Sequence, residues 1–272
     1  MKQILVHMHQ DAGQRSRLNT AASIAKMTDG KLLCCQPTHV PWIALEGYPF
    51  IIRAGLSEKE VWDAAGEHWQ EHYEDMLPVI QKLNVPHSWL RVRAKSAEAL
   101  IEKAPLADLT IVSLGRNPVD NMDSPTFVAD VISGAGGPVL ALPEAIENFD
   151  PNGPAVIAWD GSNEAGKALR ASLPLLKHSR HILVLCIGEV DRRSYSTQDA
   201  AEYLELYGLS AEVRDVPKRG KIANRLLAIA KAEKAAMLVM GAYSHSRARE
   251  MVLGGETRRM LEQRQVAVFF TH

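Results

Sequence analysis

Met237-Leu238-Val239-Met240-Gly241-Ala242-Tyr243-Ser244-His245-Ser246-Arg247 is a short apolar run that ends in glycine and passes into small and polar residues; further on the chain reads Gly254-Gly255-Glu256-Thr257. An apolar run of this length, bounded by glycine, reads as a strand buried on both faces, and the glycine pair followed by an acid reads as the opening of a helix. Strand, small-residue loop and helix N-terminus together leave backbone N–H groups that can point at an anion with no Cβ in the way. Arg247, Arg249 and Arg258 stand close enough in sequence to supply countercharge. This is the pattern of a phosphate cradle.

Moving outward, similar runs recur. Ile4 to Val6, Lys31 to Cys35, Leu109 to Leu114 and Val139 to Leu142 form one set; Ala155 to Ala158, Ile182 to Ile187, Met237 to Met240 and Val266 to Phe270 form a second. Between them lie stretches of helical period, such as Ala165, Leu169, Leu173 and Leu176, or Ile222, Leu226, Ile229 and Ala230. Strands alternating with helices predict parallel sheets built from crossovers. Two matching sets predict a tandem repeat. The opening strands of the two sets lie further apart in sequence than the closing ones, so the first half carries an insertion. It falls between Pro37 and about Leu83, where a loop with Pro41 and Pro49 leads into a helical stretch, Glu58 to Leu83, expected to break at Pro78. Glu144 to Pro154 is turn-rich and poor in apolar residues, as a boundary should be. The expected units are 1–147 and 154–272.

At the start of the second half the first strand finishes in Trp159-Asp160-Gly161-Ser162. Loops at the carboxyl ends of neighbouring strands in an open parallel sheet converge on one crevice, so Asp160 and the loop from Gly241 to Thr257 would face one ligand. An acid there suits a ribose hydroxyl or an adenine amino group. The same tripeptide also reads as a tight turn with a helix N-cap.

A strand-terminal Asp-Gly-Ser near the start of a half, with Gly-x-x-(Gly)-x9-Gly-(Ser/Thr) near its end, resembles the universal stress protein family. The resemblance covers Pro154 to His272 and, less clearly, Met1 to Pro143. It implies two tandem five-stranded parallel-sheet α/β sandwich domains, similar to the adenine nucleotide α-hydrolases, packed as a pseudo-dimer through their last strands. It also implies ATP or ADP as ligand, with or without magnesium. Carried over by position, Asp160 would meet adenine or ribose, while Ala158, Cys186 and Ile187 would line the adenine slot. Gly241, Ser244, Gly254, Gly255, Glu256 and Thr257 would surround the phosphates, with Arg247 as countercharge. Two positions depart from the pattern. Ser244 stands where the second glycine is usual, and Gly255 stands where a Ser or Thr is usual; Thr257 would replace the lost hydroxyl.

The first half has lost more. Its matching strand is expected to end at Gly115, and the following Arg116 to Pro125 contains no glycine, carries Asp120 and Asp123, and is about three residues shorter than its counterpart. Where the second half has Asp160-Gly161-Ser162, the first reads His9-Gln10-Asp11-Ala12-Gly13. A cradle needs length and φ freedom, and carboxylates repel phosphate at short range. This half is expected to be a degenerate, mainly structural partner.

Other patterns narrow the function. His68-Trp69-Gln70-Glu71-His72 spells the inverted zinc-peptidase motif, but with no third ligand in view it reads as a surface helix, and no catalytic or metal residue is assigned. No G-x-S-x-G elbow supports a hydrolase triad. Without a Walker lysine or a clear general base, any ATPase activity would be slow. The chain has 31 Lys and Arg against 32 Asp and Glu, so no bulk positive field draws nucleic acid or anionic membrane. Arg247, Arg249, Arg258, Arg259 and Arg264 lack the interleaved aromatics of a nucleic-acid face. Cys34, Cys35 and Cys186 lie in apolar runs and read as reduced thiols of a cytoplasmic protein. A non-nucleotide scaffold or small-ligand binder is the alternative, and an unknown protein partner or a second chain remains open in either case.

Overall fold

The computed structural model describes residues 1–38, 58–114, 127–188, 195–242 and 255–272. Its strands are β1 (Gln3–His7), β2 (Lys31–Pro37), β3 (His87–Val92), β4 (Leu109–Leu114), β5 (Val139–Pro143), β6 (Ala155–Ala158), β7 (Ile182–Ile187), β8 (Glu212–Val216), β9 (Met237–Gly241) and β10 (Ala267–Thr271). Its helices are α1 (Gln14–Thr28), α2 (Glu58–Lys82), α3 (Ser96–Lys103), α4 (Phe127–Gly134), α5 (Asn163–Leu176), α6 (Thr197–Glu205), α7 (Ile222–Ala232) and α8 (Gly255–Glu262).

The strands form one sheet in the order β3-β2-β1-β4-β5-β10-β9-β6-β7-β8. Every neighbouring pair is parallel except β5 and β10, which run antiparallel with Val268 opposite Ala141, Phe269 opposite Leu140 and Phe270 opposite Val139. The two halves therefore share a seam of last strands, each five strands wide on its own side. Period-two alternation sends successive side chains to opposite faces. Ile4, Val6, Ile111, Ile157, Val184 and Phe269 pack beneath α1, α2, α5 and α6. Leu5, Val112, Val156, Leu185, Val268 and Phe270 pack against α3, α4, α7 and α8. The result is three layers with helices on both faces, which is why the central strands are apolar throughout.

Two features differ from the sequence expectation. The outer strands β3 and β8 are half-exposed and polar, so the charges of Arg91, Glu212 and Arg214 guard the sheet edges and hide the strand signal. Helix α2 runs unbroken through Pro78. Pro78 is exposed, so water can satisfy the carbonyl left free one turn earlier. Strand β4 closes at Leu114, and Gly115 lies outside the described residues. No helix among the described residues is long and apolar enough to cross a membrane.

Candidate functional site

In the second half the chain runs one way from β6 to β7 and the other way to β9, so a crevice opens at the carboxyl ends of these neighbouring strands. Ala158 ends β6, Cys186 and Ile187 end β7, and Gly241 ends β9; these four predicted residues lie along one edge of the sheet. Asp160 follows β6 in an Asx turn. Its Oδ1 accepts from Ser162 N–H at 3.0 Å. Gly161, at the bend, takes the positive φ that glycine accepts freely. Ser162 Oγ then accepts from Ala165 N–H at 3.2 Å as the N-cap of α5. The turn reading and the ligand reading are compatible, because the turn uses one carboxylate oxygen and Asp160 stays exposed.

The rim beside β7 is acidic. Asp215 of β8 stands opposite Cys186 in register and accepts from Thr197 Oγ1 at 3.0 and 3.2 Å. Burial first, then Asp215 and Asp160, push the Cys186 thiol up to about 11. Asp215 is a candidate rim residue that the sequence reading missed, because β8 itself was missed. Exposed Lys218, Arg219 and Lys221 follow β8, with Lys218 beside Gly188 at the end of β7.

Gly241 has a use besides ligand approach. A Cβ at this position would lie 2.5 Å from Glu164 C and 2.8 Å from Ala165 N, so the strand end touches the first turn of α5. The following N–H, of Ala242, is taken by Thr271 O at 2.8 Å. Because α8 connects parallel strands β9 and β10, its N-terminus lies at the same end of the sheet as the crevice. There Glu256 Oε2 accepts from Ala223 N–H at 2.7 Å, capping α7 with its side chain. A Cβ at Gly255 would meet nothing within 4 Å among the described residues. Thr257 lies in that same first turn. Arg258 pairs with Glu262 at 2.8 Å. Ser244, Arg247 and Gly254 lie outside the described residues.

The matching crevice of the first half is filled from within. Ile4 pairs with Leu109 as Ala155 pairs with Met237, so Ser113 takes the place of Gly241; Gly13 meets Ser113 as Glu164 meets Gly241, which puts Arg17, one helical turn on, at the place of Ala168. Arg17 is fully buried. Its Nε donates to His7 O (2.8 Å), its Nη1 to Asp11 Oδ1 (2.8 Å) and Ser113 Oγ (2.6 Å), and its Nη2 to His9 O (3.1 Å). Burial opposes charge on Asp11, yet the bonds from His9 and Arg17 outweigh it and hold the carboxyl well below its usual range. A buried guanidinium that finds a carboxylate, a hydroxyl and two carbonyls occupies the space at the ends of β1 and β4. His7 is buried against Phe127, with ring centroids 5.1 Å apart, and its Nε2 has no hydrogen-bond partner among the described residues.

The surface-helix reading of His68 to His72 needs correction. His72 is buried, with Nδ1 2.9 Å from Gln36 Nε2 and Nε2 2.7 Å from Gln14 Oε1. Both ring nitrogens are engaged within the chain. Among the described residues no group of three or more His, Cys, Asp or Glu is placed to hold a metal ion.

The topology of ten strands, with two open five-stranded units joined through antiparallel last strands, matches known structures over their whole length. A universal stress protein from Archaeoglobus fulgidus DSM 4304 superposes with a TM-score of 0.76 at 14% identity, covering 99% of this chain and 97% of that one. This is the universal stress protein fold. A functionally unknown protein, PA1789, from Pseudomonas aeruginosa PAO1 superposes at 0.61 and 15% identity, over 100% and 92% of the two chains. The cytoplasmic domain of a prokaryotic cation chloride cotransporter superposes at 0.50 and 12% identity, over 99% and 94%. No family model matches the sequence, and no curated protein is similar to it at a significant level. At such identities the universal stress protein fold is shared while the ligand is not thereby fixed.

Proposed function

We propose that the chain is a tandem universal stress protein whose second half, 154–272, holds one adenine nucleotide, ATP or ADP, and whose first half, 1–147, is a structural partner. The observation that supports this most is the asymmetry of the two crevices. The first is occupied by the Arg17 guanidinium and its four acceptors, and the second has Ala168 at the equivalent place. Asp160 and Asp215, beside Cys186, suit the hydroxyl and amino donors of a nucleoside. Gly255, at the N-terminus of α8, has no described residue within 4 Å of where a Cβ would stand, and a helix N-terminus suits an anion. In this reading Ala158 and Ile187 border the base, while Gly241, Ser244, Gly254, Glu256 and Thr257 surround the phosphates and Arg247 faces them. Magnesium, if bound, rests on phosphate oxygens and water.

Isothermal calorimetry with ATP and magnesium tests the proposal, on the wild type and on Gly254→Val. A β-branched side chain at the cradle should remove most of the affinity, and equal affinity in the two proteins refutes the cradle. The scaffold reading draws on Glu256, whose carboxylate is committed to capping α7. It predicts no adenine absorbance released from the purified protein on gentle denaturation, and the nucleotide reading predicts an adenine absorption peak.

A further inference from the structure

Helix α2 is fastened to the sheet by interior polar bonds that neither crevice requires. His72 projects from α2 with both ring nitrogens engaged, and the outer partners fix the polarity of each bond. Trp89 Nε1–H donates to Gln36 Oε1 at 3.0 Å, so the Gln36 amide nitrogen faces inward and donates to Trp69 O (3.1 Å) and to His72 Nδ1. Gln14 Nε2 donates to Met76 Sδ at 2.9 Å, which leaves Gln14 Oε1 to accept from His72 Nε2–H. The hydrogen-bond network thus assigns neutral His72 with its proton on Nε2. A second proton, on Nδ1, would set N–H against N–H. Turning Gln36 to relieve that conflict would strand Trp89 Nε1.

The surroundings oppose charge as well. From β1 and the turn after it come His7 and His9, with Asp11 already bonded to Arg17; from α1 comes Arg17 itself. From α2 come His68 and Asp75, and Asp75 is the one of these that favours a charged His72. From β3, Arg91 is turned to Gln70 and the Tyr73 ring. Burial is the largest influence, and His72 falls from 6.5 to about 4.

We propose that His72, Gln14, Gln36 and Trp89 form an acid-operated latch, which fixes α2 on the sheet while His72 is neutral and releases the helix, with Met76 and Ile80, when His72 takes a proton. The released state binds one proton more than the closed state, so opening grows as pH falls through 6.5 towards 4. Those two values make the opening constant rise about 20-fold between pH 7 and pH 5. The latch is independent of whether the second half binds nucleotide.

Hydrogen exchange of the full chain, corrected for intrinsic rates, tests the latch on peptides spanning 66–83. Their protection in the wild type should be about 20-fold lower at pH 5 than at pH 7, while α5 peptides hold steady. In His72→Gln, which cannot be protonated, protection at 66–83 should be equal at the two pH values. In Gln36→Glu the new carboxylate accepts from both Trp89 Nε1 and protonated His72, so the trend should reverse. If wild-type protection ignores pH, or if His72→Gln loses protection in step with it, the latch is overturned. Should His72→Gln not fold, Gln36→Glu decides alone, and an unreversed trend rejects the proposal.

Discussion

Gly13 and Gly241 solve one packing problem from opposite sides, and exchanging them is a sharp test of the register between the halves. In each half the end of the strand beside the seam strand (β4 or β9) meets the start of the helix that follows the first strand. The first half places glycine on the helix side and Ser113 on the strand; the second places glycine on the strand and Glu164 on the helix. Gly13 has right-handed helical backbone angles, which alanine adopts without strain, so any cost of Gly13→Ala is steric. Its Cβ would overlap Ser113 Oγ, a side-chain atom that can rotate away by giving up its bond from Arg17. Losing one hydrogen bond from a charged, buried donor costs about 2 kcal/mol. In Gly13→Ala with Ser113→Gly the overlap is gone, but so is the hydroxyl that accepts from Arg17, so none of that cost should return. At Gly241 the obstacle is backbone: a Cβ would lie 2.5 Å from Glu164 C, 2.6 Å from Glu164 Cβ and 2.8 Å from Ala165 N. Gly241→Ala should therefore cost about 3 kcal/mol, a fall of about 6–12 °C in Tm. Adding Glu164→Gly should not restore it, because the carbonyl carbon and the next nitrogen remain. Thermal unfolding followed by circular dichroism reads all five proteins. A Gly241→Ala midpoint indistinguishable from wild type, or full rescue by Glu164→Gly, would refute the close contact.

Replacing Arg17 by Met leaves the Asp11 carboxylate buried without its partner and should cost about 3–5 kcal/mol; adding Asp11→Asn should recover much of it, as urea unfolding will show. Wild-type stability carried by Asp11 is present above its ordinary pKa of 3.8 and is lost as pH falls below that value; Asp11→Asn should flatten this part of the acid limb. At pH 8 burial keeps Cys34 and Cys35 at about 12 and Cys186 at about 11, so a thiol-reactive dye should find none of the three in the native protein and all three in denaturant. Phe269→Ala empties a fully buried position on the β5–β10 seam and should cost about 3–5 kcal/mol. Because the seam joins the halves, calorimetry of that variant should show two transitions, and a single one would mean that the halves do not depend on it.

The eight apolar strands were legible because the central strands of a covered parallel sheet are apolar on both faces. The seam was legible too: Val139 to Leu142 and Val266 to Phe270 are the runs left at the end of each half, and the structure pairs them. Strands β3 and β8 were hidden by their own edge chemistry, since His-Ser-Trp-Leu-Arg-Val and Glu-Val-Arg-Asp-Val carry charges that protect a sheet edge. Missing β8 meant missing Asp215. Helical period hid His72, because His68 and His72 share a face and the charged neighbours suggested solvent. The polar partners that admit His72 to the interior, Gln14 and Gln36, come from elements distant in sequence. Arg17 was illegible for a related reason. A fully buried arginine depends on acceptors set by the turn geometry after β1, two of which are backbone carbonyls that no residue pattern reveals.

Equilibrium dialysis against labelled ATP and magnesium, on the wild type and on Ala158→Trp, is the most direct test of the claim that one crevice is open and the other filled. The second-half site predicts one nucleotide per chain in the wild type and none when a bulky ring closes the end of β6. Two nucleotides per chain, none at all, or one that survives Ala158→Trp would contradict it.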